Sequence, residues 1–157
     1  MRIKGLIDED FVNYRKPSMF VAFPTCTFKC ERECGIACCQ NSPLAKAEDI
    51  EVDADELVLR YMDNPITKAL VLGGLEPFDS YGDMLALIEA FRRSCQDDIV
   101  IYTGYREDEL SGMLDPLRGL GGVIVKFGRY RPGESPHMDE VLGVDLASSN
   151  QYAKRIS

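Results

Sequence analysis

The sequence predicts an α/β domain with a mainly parallel sheet, and three observations carry this prediction. Short apolar runs alternate along the chain with segments whose apolar residues recur at helical spacing, as in strand–helix–strand units. The length of 157 residues suits one domain better than two, so we expect residues 1–157 to form a single domain. No internal repeat, low-complexity tract or interdomain linker interrupts the pattern.

The first predicted strand and the first predicted helix lie on either side of a cysteine-rich segment. Ser18–Phe23 is a β-prone run that stops at Pro24. Asp53 resembles a helix N-cap, Glu56 completes a capping box, and the helical spacing of apolar residues ends by Asn64. The cysteines therefore begin where a strand ends.

Further strands and helices follow in alternation. Lys68–Leu72 is a compact apolar run that leads into a glycine turn, as a buried strand would. Ser80 can cap a helix with a broad apolar face, and two arginines in its last turn complement the helix dipole. The remaining predictions are a strand at Asp98–Thr103, a short helix at Arg106–Leu114, a strand at Gly122–Phe127, a loop at Arg131–Asp139, and a tail around Ser148–Tyr152 without assignable periodicity.

Charge and hydropathy exclude two classes of partner. The chain has 26 acidic and 18 basic residues and a net charge of −8, which argues against a nucleic-acid partner held through phosphates. The N-terminus shows no secretion signal. The longest uncharged apolar stretches, Ala69–Leu75 and Gly119–Val125, are far shorter than the roughly 20 residues of a membrane helix. We therefore expect a cytoplasmic protein without a membrane partner.

The cysteines are the strongest chemical feature. Five of the six fall between positions 26 and 39 with the spacing C-x3-C-x3-C-x3-C-C, whereas Cys95 stands alone and is predicted to be a small buried apolar side chain. In a reducing compartment such a group favours metal ligation or redox chemistry over disulfides. Thiolates suit zinc, copper(I) and iron–sulfur clusters. Paired C-x2-C knuckles are absent and the one histidine, His137, is remote, so an iron–sulfur cluster is favoured while zinc stays open.

The topology predicts where these cysteines lie. Right-handed crossovers wind successive units in one direction, and ligands of such sheets bind beyond the carboxyl ends of the strands. The segment after Phe23 and the turn at Gly73 both follow strands. We therefore expect the thiols and the glycine turn to meet at one rim of the sheet.

Four short motifs now carry a resemblance to a family. Cys26-Thr-Phe-Lys-Cys30, followed by Cys39-Gln-Asn, resembles the cluster loop of radical S-adenosylmethionine enzymes, specifically the anaerobic ribonucleoside-triphosphate reductase activating proteins. The other three motifs agree in order and position along residues 7–151. They are the glycine-glycine-acid-proline turn at Gly73–Pro77, the strand ending at Tyr102–Tyr105 and the C-terminal motif at Ser148–Gln151.

Two positions depart from the family pattern. The usual cluster loop is C-x3-C-x2-C, but the third residue after Cys30 is Glu33. An insertion between Cys30 and Cys39 accommodates this, so that Cys39 is the third ligand, with Cys34 and Cys38 as rival candidates. Neighbouring residues such as Cys38 and Cys39 point in different directions in most backbones, so at most one of them should face the cluster. Leu75 replaces a second glycine before the acid, and its bulk narrows the approach to a ligand.

The resemblance implies a 4Fe-4S cluster held by Cys26, Cys30 and Cys39, with S-adenosylmethionine as the second cofactor. It implies an enzyme that reductively cleaves S-adenosylmethionine to a 5′-deoxyadenosyl radical and installs a glycyl radical on an anaerobic ribonucleotide reductase. The partners would be that large protein substrate and an external electron donor. A complete (β/α)8 barrel needs about 250 residues, so a partial, open barrel is expected. The implied cofactor-binding residues are Gly73, Gly74, Glu76, Tyr102, Ser148 and Asn150.

Other readings of the same residues stay open. The chain can instead be a zinc or iron–sulfur protein without catalysis that serves as a structural or interaction module. A radical enzyme of similar length that acts on a small molecule is a further alternative. Lys126, on the fourth predicted strand, can contact an anionic group or be a solvated lysine at the end of the sheet.

Overall fold

A computed structural model describes all 157 residues, which form a mixed α/β structure. The helices are α1 (Lys29–Cys34), α2 (Ser42–Ala45), α3 (Ala54–Asp63), α4 (Tyr81–Ser94) and α5 (Ser111–Arg118), with 3-10 helices at Pro77–Ser80 and Glu107–Leu110. The strands are β1 (Arg2–Ile3), β2 (Gly5–Asp10), β3 (Ser18–Phe23), β4 (Ile50–Glu51), β5 (Ala69–Gly74), β6 (Asp98–Tyr102), β7 (Val123–Phe127), β8 (His137–Asp139), β9 (Val144–Leu146) and β10 (Tyr152–Arg155). None of the helices combines the length and apolar character needed to cross a membrane.

Six strands form one open sheet in the order β10-β7-β6-β5-β3-β2. The four strands predicted from the sequence, β3, β5, β6 and β7, lie side by side and parallel. The outer strands β2 and β10 pair with them antiparallel. The α/β class and the mainly parallel sheet are therefore confirmed. Because consecutive strands are neighbours, right-handed crossovers place the helices between them on one face of the sheet.

That face carries the larger core. The apolar positions of α3 and α4 recur at helical spacing, and they pack on the residues of the central strands that point to the same side. An edge-to-face contact between Tyr61 and Phe91, with ring centroids 4.7 Å apart, joins the two helices. The fully buried members include Leu87, Ile88, Ile99, Ile101, Leu114 and Leu117.

The opposite face of the sheet is also covered. Val71, Val100 and Ile124 pack there against Tyr14 and Leu142, beside the hairpin of β8 and β9. Burial on both faces explains why the central strands are continuous apolar runs instead of alternating ones.

Several segments differ from the sequence expectation, and the short elements α1, α2, β4 and β9 were not predicted. The N-terminal strands β1 and β2 were not predicted, and the loop at Arg131–Asp139 ends in strand β8. The tail around Ser148–Tyr152 leads into β10. The helix predicted at Arg106–Leu114 is a 3-10 helix followed by α5, which continues to Arg118. Edge strands pair on one side and carry polar residues, so they lack the apolar pattern that marks a central strand. Cys95 is only partly buried, although it packs against the core.

Asp98, at the amino end of β6, ties the outer parts of the sheet together. The Tyr14 hydroxyl and the Lys16 ammonium donate to its Oδ2 at 2.9 and 2.5 Å, and the Arg155 guanidinium donates to Oδ1 at 3.0 Å. Burial raises the pKa of Asp98, but these donors outweigh it and lower the pKa overall. The carboxylate thus joins β6 to the segment before β3 and to β10.

We expect Asp98→Asn to lower the free energy of unfolding at pH 7 by about 2 kcal/mol, because a neutral amide pairs poorly with three donors. Since the pKa of Asp98 is lowered in the folded state, its stabilisation is present above the ordinary carboxyl pKa and is lost as the pH falls below it. Urea unfolding at pH 7 and pH 3 measures both effects. Asp115→Asn is the matched control, because its pair with Arg118 is exposed. Equal losses in the two variants would contradict the role of Asp98.

Candidate functional site

A cavity of about 410 Å³ opens at the carboxyl ends of the parallel strands. It contains groups from the cysteine segment after β3, from the turn after β5 and from the ends of β6 and β7. The structure therefore brings the two predicted loops together at one rim. The predicted site residues that line it are Cys26, Cys30, Cys39, Gly73, Gly74, Glu76 and Tyr102.

The local backbone positions the first two thiols. Phe28 adopts a left-handed conformation with a φ of 52°, immediately before α1 begins at Lys29. The Phe28 N–H donates to the Cys26 sulfur at 3.2 Å. Cys30 lies in the first turn of α1, so the left-handed residue bends the chain between the two cysteines and turns both toward the cavity.

Cys39 is held by contacts at both ends of the intervening loop. Its N–H donates to Oε1 of Glu31 on α1 at 3.1 Å. Two residues further on, the Asn41 amide donates to the Gly74 carbonyl at 2.6 Å. Asn41 was only part of the cluster-loop motif in the sequence, and the structure gives it a definite role in fastening this loop to the glycine turn.

Cys34 and Cys38 lie outside the cavity. Their sulfur atoms contact one another at 2.7 Å, and the Cys34 thiol also donates to the Ile36 carbonyl at 3.4 Å. The five clustered cysteines therefore divide into three that line the cavity and two that contact each other.

The three cavity thiols suit a metal cluster as a donor set. Burial raises the pKa of Cys26 to about 11, and burial together with the neighbouring Cys39 raises the pKa of Cys30. A bound cation favours the thiolate and so opposes this effect. No three cysteine, histidine or acidic side chains converge on a single ion position. A 4Fe-4S cluster takes its thiolates on different irons, so its ligands surround the cluster instead of meeting at one point.

The glycine turn is explained first by packing. Gly74 has a φ of +89°, and a Cβ there would stand 2.7 Å from the Cα of Ala22. A Cβ on Gly73 would stand 3.0 Å from the Phe20 ring. The two glycines therefore allow β5 to end close to β3, and they leave backbone groups exposed to the cavity. Leu75 also lines the cavity, beside the turn.

Glu76 is a buried carboxylate whose hydrogen bonds join β5 to β6. Burial raises its pKa to about 7, while donors from Gly104, Thr103 and Phe78 act in the opposite direction. The Gly104 N–H donates to Oε2 at 2.9 Å, and the Thr103 hydroxyl donates to Oε1 at 2.8 Å. Much of its hydrogen-bonding capacity is used within the protein, so it shapes the wall of the cavity.

Two side chains from β6 and β7 complete the wall. The Tyr102 hydroxyl donates to the Asn13 carbonyl at 2.6 Å, which leaves the ring facing the cavity. Lys126 is buried, and its ammonium donates to the Gly128 carbonyl at 2.9 Å. Burial lowers the pKa of Lys126 to about 8. The sequence feature that points to this residue is a single charged side chain within an otherwise apolar strand.

Ser148 and Asn150 lie outside the cavity. The Ser148 hydroxyl donates to Oδ1 of Asn150 at 2.9 Å, and the Asn150 amide donates to the Arg129 carbonyl at 2.8 Å. Their contacts fix the chain between β9 and β10. Gln151 and Arg129 line the cavity instead, although neither was singled out as a site residue from the sequence.

Partly buried thiols around one cavity, with no disulfide among them, are a donor set that suits an iron–sulfur cluster. Comparison with protein families supports this class. The model of the 4Fe-4S single cluster domain matches residues 16–140, and the chain belongs to that family. No curated protein and no solved structure gave a significant match.

The iron content of single alanine variants should distinguish the cysteines that bind the cluster from those that do not. We expect Cys26→Ala, Cys30→Ala and Cys39→Ala to lose most of the iron bound after anaerobic reconstitution, because each removes a thiol from the cavity. Cys34→Ala and Cys38→Ala should keep it, since their sulfurs lie outside. Iron and acid-labile sulfide per chain are the measurements. Full iron in Cys39→Ala together with loss in Cys34→Ala would assign the third ligand to Cys34. About one zinc and no sulfide in the wild type would favour a structural zinc site.

Proposed function

We propose that the protein is a radical S-adenosylmethionine enzyme whose cluster ligands are Cys26, Cys30 and Cys39. One observation carries the proposal: these three thiols line the same cavity as the Gly73-Gly74 turn. A purely structural cluster would need no such cavity, whereas a cofactor must bind next to the metal. The open, mainly parallel sheet would then be part of a (β/α) barrel.

The chemistry comes from the bound cofactors. Cys26, Cys30 and Cys39 would hold a 4Fe-4S cluster and leave one of its irons without a protein ligand. With S-adenosylmethionine bound, the cofactors would supply reductive cleavage of its carbon–sulfur bond, for which an external donor provides one electron. The protein would orient the cofactors and exclude water from the site. Backbone groups at Gly73 and Gly74 face the cavity, and Lys126 offers a buried cation for a carboxylate. Tyr102 and Glu76 form parts of the wall. Ser148 and Asn150 would act indirectly, through the backbone beside Gln151.

The proposed substrate is a glycine residue of an anaerobic ribonucleotide reductase. Transfer of one hydrogen atom from its Cα would leave a glycyl radical on that protein and 5′-deoxyadenosine as product. Exposed apolar side chains near the cavity support a protein substrate. Val12 lines the cavity and is 74% exposed, its neighbour Phe11 is 63% exposed, and Ile36 in the cysteine segment is 58% exposed. We place this reaction in the cytoplasm, where reductants keep such thiols available.

The first test is cleavage of the cofactor. Anaerobically reconstituted protein, supplied with dithionite and S-adenosylmethionine, should form 5′-deoxyadenosine and methionine, measured by liquid chromatography. Cys30→Ala should lose the activity at least about 100-fold because the cluster is no longer held. Cys95→Ala is the control, since this thiol lies outside the cavity, and it should keep the activity. A protein that holds four irons with sulfide but cleaves no cofactor would be an iron–sulfur module without this catalysis.

The second test concerns the substrate. Addition of an anaerobic ribonucleotide reductase to the same mixture should produce a glycyl radical signal in electron paramagnetic resonance. Phe11→Ser should weaken this signal while cofactor cleavage continues, because the Phe11 side chain is exposed and does not line the cavity. Cleavage without any glycyl radical would exclude this substrate and favour a small-molecule one.

A further inference from the structure

Cys34 and Cys38 make a contact that the proposed reaction does not use. Their sulfurs are 2.7 Å apart, and neither lines the cavity that contains Cys26, Cys30 and Cys39. No other two of the six thiols make a sulfur–sulfur contact. A disulfide requires its sulfurs to meet at about 2.05 Å, so this pair has the least distance to cover.

The backbone between the two thiols produces this contact. Helix α1 ends at Cys34, and Gly35 follows in the left-handed region with a φ of +72°. Its N–H donates to the Glu31 carbonyl at 2.9 Å, which closes the helix end. A Cβ on Gly35 would meet no atom within 4 Å, so the backbone conformation itself favours glycine here. The turn brings Cys38 back against Cys34.

We propose that Cys34 and Cys38 form a redox-active pair, whose intramolecular disulfide staples the loop between the ligands Cys30 and Cys39 without removing a ligand. The inference rests on the proposed function only in taking Cys30 and Cys39 as ligands. It assigns a modification site to the two clustered thiols that do not line the cavity.

The oxidant is a low-molecular-weight disulfide. One thiolate of the pair attacks a sulfur of the small disulfide, whose bond breaks and releases one small thiolate. The other thiolate then attacks the protein sulfur of this mixed disulfide and releases the second small thiolate. The two protons from the pair pass to the two leaving thiolates. The pair loses two electrons, and the small disulfide is reduced to two thiols.

Access and proximity favour both steps. Cys34 and Cys38 are only partly buried, and the residues between them, 35–37, are exposed, so a small disulfide can reach the pair. The second step is intramolecular and joins sulfurs already in contact, which gives it a high effective concentration. The three cavity thiols make no sulfur–sulfur contact, so they lack this high effective concentration for the second step.

The proposed disulfide lies beside the hydrogen bond that positions Cys39. The Cys39 N–H already donates to Glu31 of α1 at 3.1 Å. A Cys34–Cys38 disulfide would join the same loop to α1 covalently, through the residue directly before Cys39. The disulfide therefore restricts the loop without redirecting Cys39.

The test uses the iron-loaded wild-type protein treated anaerobically with glutathione disulfide. Free thiols are alkylated after denaturation, and tandem mass spectrometry identifies the cysteines that were not alkylated. We expect Cys34 and Cys38 to be joined and two hydrogens to be lost per chain, with iron and sulfide unchanged. Cys34→Ser and Cys38→Ser should form no such bond. Cys95→Ser, which removes a thiol outside the segment, should behave as the wild type does.

Two results would overturn the inference. Alkylation of both Cys34 and Cys38 after treatment would show that the pair is not redox-active toward this oxidant. Iron loss in step with the disulfide would show that one of the two is a ligand. Neither result depends on catalysis, because cofactor cleavage is measured separately on untreated protein. The proposed function and this pair can therefore fail independently.

Discussion

The parallel pairing of β3 with β5 is the interaction on which the site depends. Six residue pairs are in register along these strands, and the last joins Phe23 to Gly74. Because the two strands end at the same level, the cysteine segment and the glycine turn begin side by side. The Glu76 N–H donates to the Thr25 carbonyl at 2.9 Å and continues the backbone contact past the strand ends. The cavity is therefore formed by two loops that start from one rigid edge.

Buried charge holds the far side of the cavity. Arg129, with 5% of its side chain exposed, donates to both carboxylate oxygens of Glu109 at 2.8 and 2.7 Å. These hydrogen bonds hold the pKa of Glu109 near 2. The Arg129 guanidinium also lies 3.2 Å from Glu33 on α1. A buried guanidinium is stable only when paired, so its partners bring the helix that carries Cys30 against the end of β7.

The accuracy of the sequence prediction followed the degree of burial. The four central strands were predicted because burial on both faces requires continuous apolar runs. Strand β10 was missed because only Ala153 of its four residues is buried, and the others are polar or exposed. The C-terminal motif shows the same limit at the scale of a side chain. Ser148 and Asn150 have polar groups suited to a ligand, but the backbone directs Gln151 into the cavity instead.

The sequence by itself determined the α/β class and the meeting of the thiols with the glycine turn, because the carboxyl ends of parallel strands share one edge. Only the tertiary structure decided which thiols line the cavity. Five cysteines within 14 residues are chemically alike in the sequence. The left-handed turn at Gly35 brings Cys38 against Cys34, whereas the Asn41 bond to Gly74 fastens the loop beyond Cys39 to the glycine turn. Side-chain direction depends on backbone dihedrals and on hydrogen bonds between distant residues, and spacing along the chain encodes neither.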